Sequence, residues 1–324
     1  MNNNFSEQDQ NNKMRLIPYK VAEVFEEVNE IPLGVKLIKA PEIWDKSEKG
    51  KNIVVAVLDT GCQIDHIDLK DRIIGGRNFT TDYNHDPNNF SDNAGHGTHV
   101  AGTIAATENN KGVVGVAPEV KLLILKVLNG EESGPYEWII NGINHAVKWE
   151  GSNGEKVRVI SMSLEGSVNS PQLHQAVKNA VDNDILVVCA SGNKGDCSEQ
   201  TDELAYPGSY QEVVEVGAID LNKKLACFSN SNKNIDLVAP GDGFFLGEGI
   251  LSTYINGGYA KLFGTSMATP HIAGAAALII KECEKEFGRT LSEDEIYAQL
   301  IKRTTSLQYD KRSEGNGLID LAKI

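Results

Sequence analysis

The run NIVVAVLD, residues 52–59, decides the architecture: six consecutive apolar residues, four of them β-branched, end on a carboxylate. A strand with one wet face alternates apolar and polar residues, whereas this one is apolar at every interior position and must be covered on both faces. Working outward, VKLLILKVL (120–128), VRVISMSL (157–164), ILVVCASGN (185–193), VVEVGAI (213–219) and IDLVAPG (235–241) repeat the pattern. Helical periodicity lies between several of them, in YEWIINGINHAVKWE (136–150) and SPQLHQAVKNAVDND (170–184). The alternation predicts the α/β class, with a mostly parallel central sheet, helices on both faces, and chemistry beyond the carboxyl ends of the strands. Towards the C-terminus, SEDEIYAQLIKRT (292–304) reads as an amphipathic helix whose Ser292 and Glu295 form a capping box. No repeat or long linker follows residue 30, so residues 31–324 read as one domain and residues 1–30 as an N-terminal extension.

Composition narrows the function. The 324 residues are 40% apolar, ample for a packed core, and 45 acidic against 31 basic residues give a formal charge of −14. That charge disfavours nucleic acid or an anionic membrane as a partner. The opening MNNNFSEQDQNNK has no basic start followed by an apolar stretch, and no later run approaches the roughly 20 apolar residues of a membrane span, so the expected compartment is the cytoplasm. Five cysteines, an odd number without CxxC spacing, suit reduced thiols better than a disulfide frame. Residues 1 to about 15 are polar and read as disordered. The LIPYK that follows at 16–20 is out of place beside the acidic AEVFEEVNE. Pro18 bars Leu16, Ile17, Pro18 and Tyr19 from a central strand, which leaves an edge or a groove.

Three segments could carry chemistry. Asp59 closes the first strand ahead of Thr60 and Gly61. A lone DTG on an α/β pattern is not an aspartic protease, which needs a second carboxylate on an all-β frame. GHGTHVAGTIAA (95–106) places His96 at a glycine-flanked turn before a small-residue helix, with His99 three residues on; without HExxH they make a poor metal pair. One imidazole is expected to face the cleft, His96 by its glycine flanks, and the other to be a hydrogen-bonded helix histidine. GTSMATPHIAGAAALII (264–280) puts Ser266 at a helix start, with Pro270 expected in the first turn. By itself that stretch reads as a capped core helix or as the mounting of a nucleophile. Together, Asp59, His96 and Ser266 each stand at the tip of an element, and a serine, a base and an orienting carboxylate are what acyl transfer requires. The chain has no GxSxG elbow and its order is Asp, His, Ser, against an α/β-hydrolase esterase. Asp82, Asn84 and Asp86 begin like an EF-hand, but Pro87 and Asn93 stand where its Gly and Glu belong. GDGFFLG (241–247) is a poor dinucleotide fingerprint.

LDTG (58–61), GHGTHVAGT (95–103) and GTSMATPH (264–271) resemble the three active-site signatures of the subtilisin family of serine proteases, in the same order. The resemblance runs from about Pro32 to the GNGLIDL near the C-terminus. It implies a subtilisin-like fold and an Asp59–His96–Ser266 triad, with the side-chain amide of Asn193 and the Ser266 N–H as oxyanion donors. It implies that an extended substrate pairs between Glu132, Ser133 and Gly134 on one side and Ser163, Leu164 and Glu165 on the other. It also implies a structural calcium ion held by Asp68, Thr107, Asn109, Lys111 and Val113, with Asn29 as a further ligand. Against the family's SLGG this chain has SLEG, which sets Glu165 beside the primary specificity pocket, where Lys194 is placed to pair with it. The LIPY segment is similar to that of the intracellular subtilisins, implying an inhibitory extension and a homodimer. The expected function is a cytoplasmic serine endopeptidase made as a zymogen and acting on polypeptides. The alternatives are a same-fold esterase or amidase, or a non-catalytic calcium-stabilised binding or inhibitor module.

Overall fold

In the computed structural model the described residues are 13–198, 200–243 and 249–323. The strands in chain order are β1 (Lys13–Leu16), β2 (Lys20–Phe25), β3 (Asn29–Glu30), β4 (Val54–Asp59), β5 (Ile73–Asn78), β6 (Gly112–Val113), β7 (Lys121–Lys126), β8 (Ser133–Pro135), β9 (Val157–Met162), β10 (Leu164–Glu165), β11 (Leu186–Ala190), β12 (Val214–Asp220), β13 (Ile235–Asp242), β14 (Ile250–Thr253), β15 (Tyr259–Phe263), β16 (Thr304–Thr305) and β17 (Leu318–Ile319). The helices are α1 (Leu33–Leu37), α2 (His96–Ala105), α3 (Tyr136–Lys148), α4 (Pro171–Val181), α5 (Thr265–Phe287), α6 (Glu293–Lys302) and α7 (Lys311–Glu314).

Nine strands form the central sheet in the order β16-β17-β13-β12-β11-β9-β4-β7-β5. Every pairing is parallel except β16 with β17. All six residues of β4 are buried, as its unbroken apolar run requires. Val55 and Val57 pack with α2 and α5 in one core, while Val54, Ala56 and Leu58 pack with α3 and α4 in the other. The strand period of two therefore assigns successive residues to opposite layers. Helix α6 begins with the reciprocal Ser292–Glu295 box read from the sequence.

Residues 13–30 are built into the surface of this body. Strand β1 lies between β8 and β10, antiparallel to both; β2 adds to the β14–β15 hairpin; β3 pairs with β6. Disorder to about residue 15 is thus corrected for Lys13, Met14 and Arg15, because the alternate residues Met14 and Leu16 are buried in the second core and hold the segment down. Residues 1–12 lie outside the described residues, as do residues 244–248, which include the last four of GDGFFLG.

Candidate active site

Asp59 is the last residue of β4, His96 the first of α2 and Ser266 the second of α5. Gly97 permits the close meeting of the first two, since a Cβ there would strike the Gly61 carbonyl oxygen. His96 Nδ1 lies 2.9 and 3.0 Å from the two Asp59 oxygens. Burial alone would push the imidazole down, but the Asp59 carboxylate, by charge and hydrogen bond, outweighs it with help from Asp92 and Glu132 and holds His96 above its ordinary value. Both histidines of the GHGTH stretch are fully buried, which corrects the expectation of an exposed His96. Tyr19 covers it, with ring centroids 4.8 Å apart. His99 is the hydrogen-bonded helix histidine, its Nε2 facing the Ile250 and Ala260 carbonyls at 2.9 and 3.1 Å, and burial drives it down to about 3.

Ser266 is mounted differently from the sequence expectation. Helix α5 begins at Thr265, so Pro270 lies inside it rather than in its first turn. Proline has no N–H to give the carbonyl four residues back, which is that of Ser266 itself. The Ser163 hydroxyl takes that place, donating to Ser266 O at 2.9 Å. The Ser266 hydroxyl in turn donates to Ser163 O at 3.3 Å, and His96 Nε2 is buried without a hydrogen-bond partner among the described residues. The serine and the imidazole are therefore not hydrogen-bonded while residues 13–30 are in place.

Asn193 stands beyond the end of β11, where its Oδ1 accepts from Thr265 N–H at 2.9 Å and the Thr265 hydroxyl at 2.8 Å. This aims its amide nitrogen away from the helix, and Nδ2 donates to the carbonyl of Pro18 at 2.8 Å. Gly264 leaves room for it, since a Cβ there would lie 2.7 Å from Nδ2. On the N-terminal side of that carbonyl, Arg15 stands opposite both Ser133 and Glu165, Met14 opposite Gly134 and Leu16 opposite Leu164, while Leu16 N–H donates to Glu132 O at 2.9 Å. On the other side the Tyr19 hydroxyl donates to Glu132 Oε1 at 2.7 Å.

A serine, an imidazole, a carboxylate and an amide thus stand at the carboxyl end of a parallel sheet, with a strand of the chain lying across them. The model of the subtilase family matches residues 50–317. The chain belongs to the subtilase family. It is 57% identical over 312 residues to the major intracellular serine protease of Bacillus subtilis, covering 96% of this chain and 94% of that one. With the intracellular serine protease of Paenibacillus polymyxa it shares 56% identity over 96% and 92% of the two chains. Subtilisin DY of Bacillus licheniformis is 42% identical over 90% of this chain and 97% of its own. This subtilase is accordingly a serine protease.

Within the subtilase site, Glu165 is buried and Lys194 half exposed, joined by a 2.6 Å ion pair from Nζ to Oε1. The other oxygen, Glu165 Oε2, has no partner among the described residues. The two residues line a cavity of about 260 Å³ with Lys13, Arg15, Pro18, Gly166 and Ser167.

The residues read as metal ligands gather around the fully buried Asp68. Its two oxygens accept from Asn109 Nδ2 at 2.8 Å and Val113 N–H at 3.1 Å. Lys111 N–H donates to Asn109 Oδ1 at 3.0 Å, and the β3–β6 pairing sets Asn29 beside Gly112. The buried Thr107 hydroxyl lacks a partner among the described residues. Carboxylate, amide and main-chain oxygens are the donor types a hard cation takes, but here Asn109 turns its NH2 to Asp68 and its oxygen to Lys111 N–H, so that amide would have to turn over to meet an ion. No group of three or more His, Cys, Asp or Glu side chains gathers among the described residues.

Cys62, Cys189 and Cys283 are buried and free, but Cys197 and Cys227 form a disulfide, which corrects the all-thiol expectation. The two loops they occupy follow β11 and β12, neighbouring parallel strands, so the sheet brings together residues 30 apart in sequence. Sequence reading also passed over Asp92, which touches both the Asp59 and the His96 segments. Its only signal was an acid three residues ahead of the glycine that opens a helix.

Proposed function

We propose that the chain is an intracellular serine endopeptidase that cleaves proteins through an acyl-enzyme and is latent while residues 16–19 of its N-terminal extension occupy the cleft. His96 would accept the Ser266 proton as Ser266 attacks a peptide carbonyl. Asp59 would hold the tautomer and offset the imidazolium charge, and Asn193 with the Ser266 N–H would stabilise the oxyanion. The observation that carries the reading is the Pro18 carbonyl on the Asn193 amide with β1 paired on both sides, because a peptide carbonyl on that donor is how a substrate would lie.

The same contacts account for latency. Tyr19 lies over the imidazole and is tied to Glu132, His96 Nε2 has no hydrogen-bond partner among the described residues, and the Ser266 hydroxyl donates to the Ser163 carbonyl. Pro18 fixes its own φ and limits how far the bound bond can turn towards the nucleophile. Removing residues 1–20 frees both groups. Activity of the truncated protein on a small peptide substrate should rise at least tenfold over the full-length chain; equal activities would sink the proposal of latency. Digestion of a denatured protein by the truncated form, blocked by a serine-directed phosphonate, separates an endopeptidase from an esterase and from a non-catalytic module.

Calcium, bound by Asp68, Thr107, Asn109, Lys111, Val113 and Asn29, is proposed as a structural ion that ties the β6 loop to the body; it takes no part in the bond-breaking steps. We also propose a homodimer, tested by sedimentation at micromolar concentration. An intracellular setting accords with the names of the two relatives above. The exposed Cys197–Cys227 bridge sits against a reducing compartment, and cell fractionation decides the matter.

A further inference from the structure

Both halves of the Asp59–His96 pair are tied to a third carboxylate. Asp92 Oδ1 accepts from the Thr60 hydroxyl at 2.9 Å, Ala94 N–H at 3.0 Å and Gly95 N–H at 2.8 Å. Its Oδ2 accepts from Thr98 N–H at 2.9 Å and the Thr98 hydroxyl at 2.7 Å. Helix α2 has glycine at its N-cap and no side-chain cap there, so Asp92 satisfies the helix start from three residues upstream and fixes the turn from which His96 projects. Through Thr60 it reaches the other partner as well. Thr60 N–H donates to Asp59 Oδ1 at 2.8 Å, and the Thr60 hydroxyl also accepts Gly97 N–H at 3.0 Å.

The strand side of this junction is held by Lys126, a fully buried lysine. Its ammonium donates to Thr60 O at 2.6 Å, Asn93 Oδ1 at 2.9 Å and Leu128 O at 3.0 Å, and pairs with Asp82 at 3.1 Å. A buried cation is costly unless every donor is used. Here the partners lie on the loop after β4, the loop before α2 and the loop after β7, so satisfying the charge draws the three together.

We infer that Asp92 is a positioning residue for His96, setting the imidazole's orientation through α2 and adding a second negative charge behind it, while Lys126 anchors Thr60 and so the Asp59 side of the pair. The inference rests on the catalytic reading of Asp59 and His96 for its kinetic consequence, but its structural consequence can be read without turnover. The groups facing the imidazole are Asp59 on β4, Asp92 ahead of α2, Glu132 ahead of β8, Tyr19 over the ring and His99 one turn along α2. Of the three carboxylates, Asp92 is the one that bonds neither the imidazole, as Asp59 does, nor Tyr19, as Glu132 does, so it acts on His96 through α2 and by its charge.

The test has two arms. In the full-length chain with Ser266→Ala, which prevents self-digestion, NMR follows the His96 ring proton through pH. Asp92→Asn should move the midpoint down by about 0.5–1 pH unit, whereas Asp92→Glu, which keeps the charge, should leave it within about 0.2. In the processed enzyme with Ser266 intact, both variants should lower kcat about tenfold or more with KM held within about twofold, because each displaces the base without touching the groove. Should Asp92→Asn fail to fold, Thr60→Val keeps four of the five bonds to Asp92 and cuts the bridge to Asp59; it should lower kcat about three- to tenfold. A helix cap with no further role predicts an unmoved His96 midpoint and an unchanged kcat per titrated site, and either result overturns the inference. If the NMR shift occurs and no variant or parent hydrolyses peptides, the proposed function fails while the placement of Asp92 stands.

Discussion

At the scale of single residues, the site depends on where hydrogen-bonding capacity is left over. Pro270 frees the Ser266 carbonyl and Ser163 uses it; Thr265 occupies the oxygen end of Asn193 and leaves the nitrogen end for the Pro18 carbonyl. An Asn193→Ala variant of the truncated enzyme should lose about 1.5–3 kcal/mol of transition-state stabilisation, roughly ten- to hundredfold in kcat, with KM little changed. A rise in KM at constant kcat would show that Asn193 only binds substrate. Glu165 makes a second residue-scale prediction. Its carboxylate fills space that glycine leaves open, so Glu165→Gly should raise hydrolysis after large aromatic residues about tenfold relative to small ones in a peptide library. An unchanged cleavage profile removes Glu165 as a determinant. Three motifs point to Asp59, His96 and Ser266, and the structure pairs the first two; the bonds of Ser163 to Ser266 and of Thr265 to Asn193 were not legible, since contacts between distant segments leave no local pattern.

At the scale of elements, helix α5 shows how far composition reaches. Its run of Ala and Gly predicts a helix buried on all sides, and residues 265–280 are all buried. The loop after β11 shows where composition stops. Asn230 accepts from Lys194 N–H at 2.7 Å and donates to Ser191 O at 2.6 Å, and Gly195 N–H donates to Phe228 O at 2.8 Å, so this loop is laced to its neighbour before the disulfide is reached. Replacing Cys197 and Cys227 with Ser should cost about 3 kcal/mol, a fall of roughly 4 °C in unfolding temperature. The peptidase rate should hold within about twofold, because Thr265 keeps Asn193 aimed without the bridge. A reductant should reproduce that fall in the parent and have no effect on the double variant. If all unfolding curves coincide, the bridge contributes nothing to stability.

At the scale of the whole molecule, the N-terminal residues are the connecting thread. Between residues 13 and 30 the chain supplies a strand to the groove, a strand to the β14–β15 hairpin and a strand beside the Asp68 loop. Strand β3 links that loop to the extension, so an ion there would brace the start of the chain. With calcium a hundredfold above its dissociation constant, binding adds about 3 kcal/mol, and a chelator should lower the unfolding temperature by roughly 4 °C. Asp68→Ala should abolish the chelator's effect. A chelator response that survives in Asp68→Ala would place the ion elsewhere.

The sequence by itself determined the layers and the chemical parts. Apolar runs such as NIVVAVLD alternating with helical patterns specify a parallel sheet covered on both faces, and the motifs put Asp59 at a strand end and His96 and Ser266 at helix starts. Tertiary structure alone decided what touches what: that Pro18 offers its carbonyl to Asn193, that Tyr19 lies on His96, that Cys197 meets Cys227, and that one carboxylate, Asp92, ties the Asp59 and His96 segments together. The physical reason is range. Periodicity and turn chemistry act over a few residues, whereas these contacts join segments that only the packed sheet and its crossovers bring together.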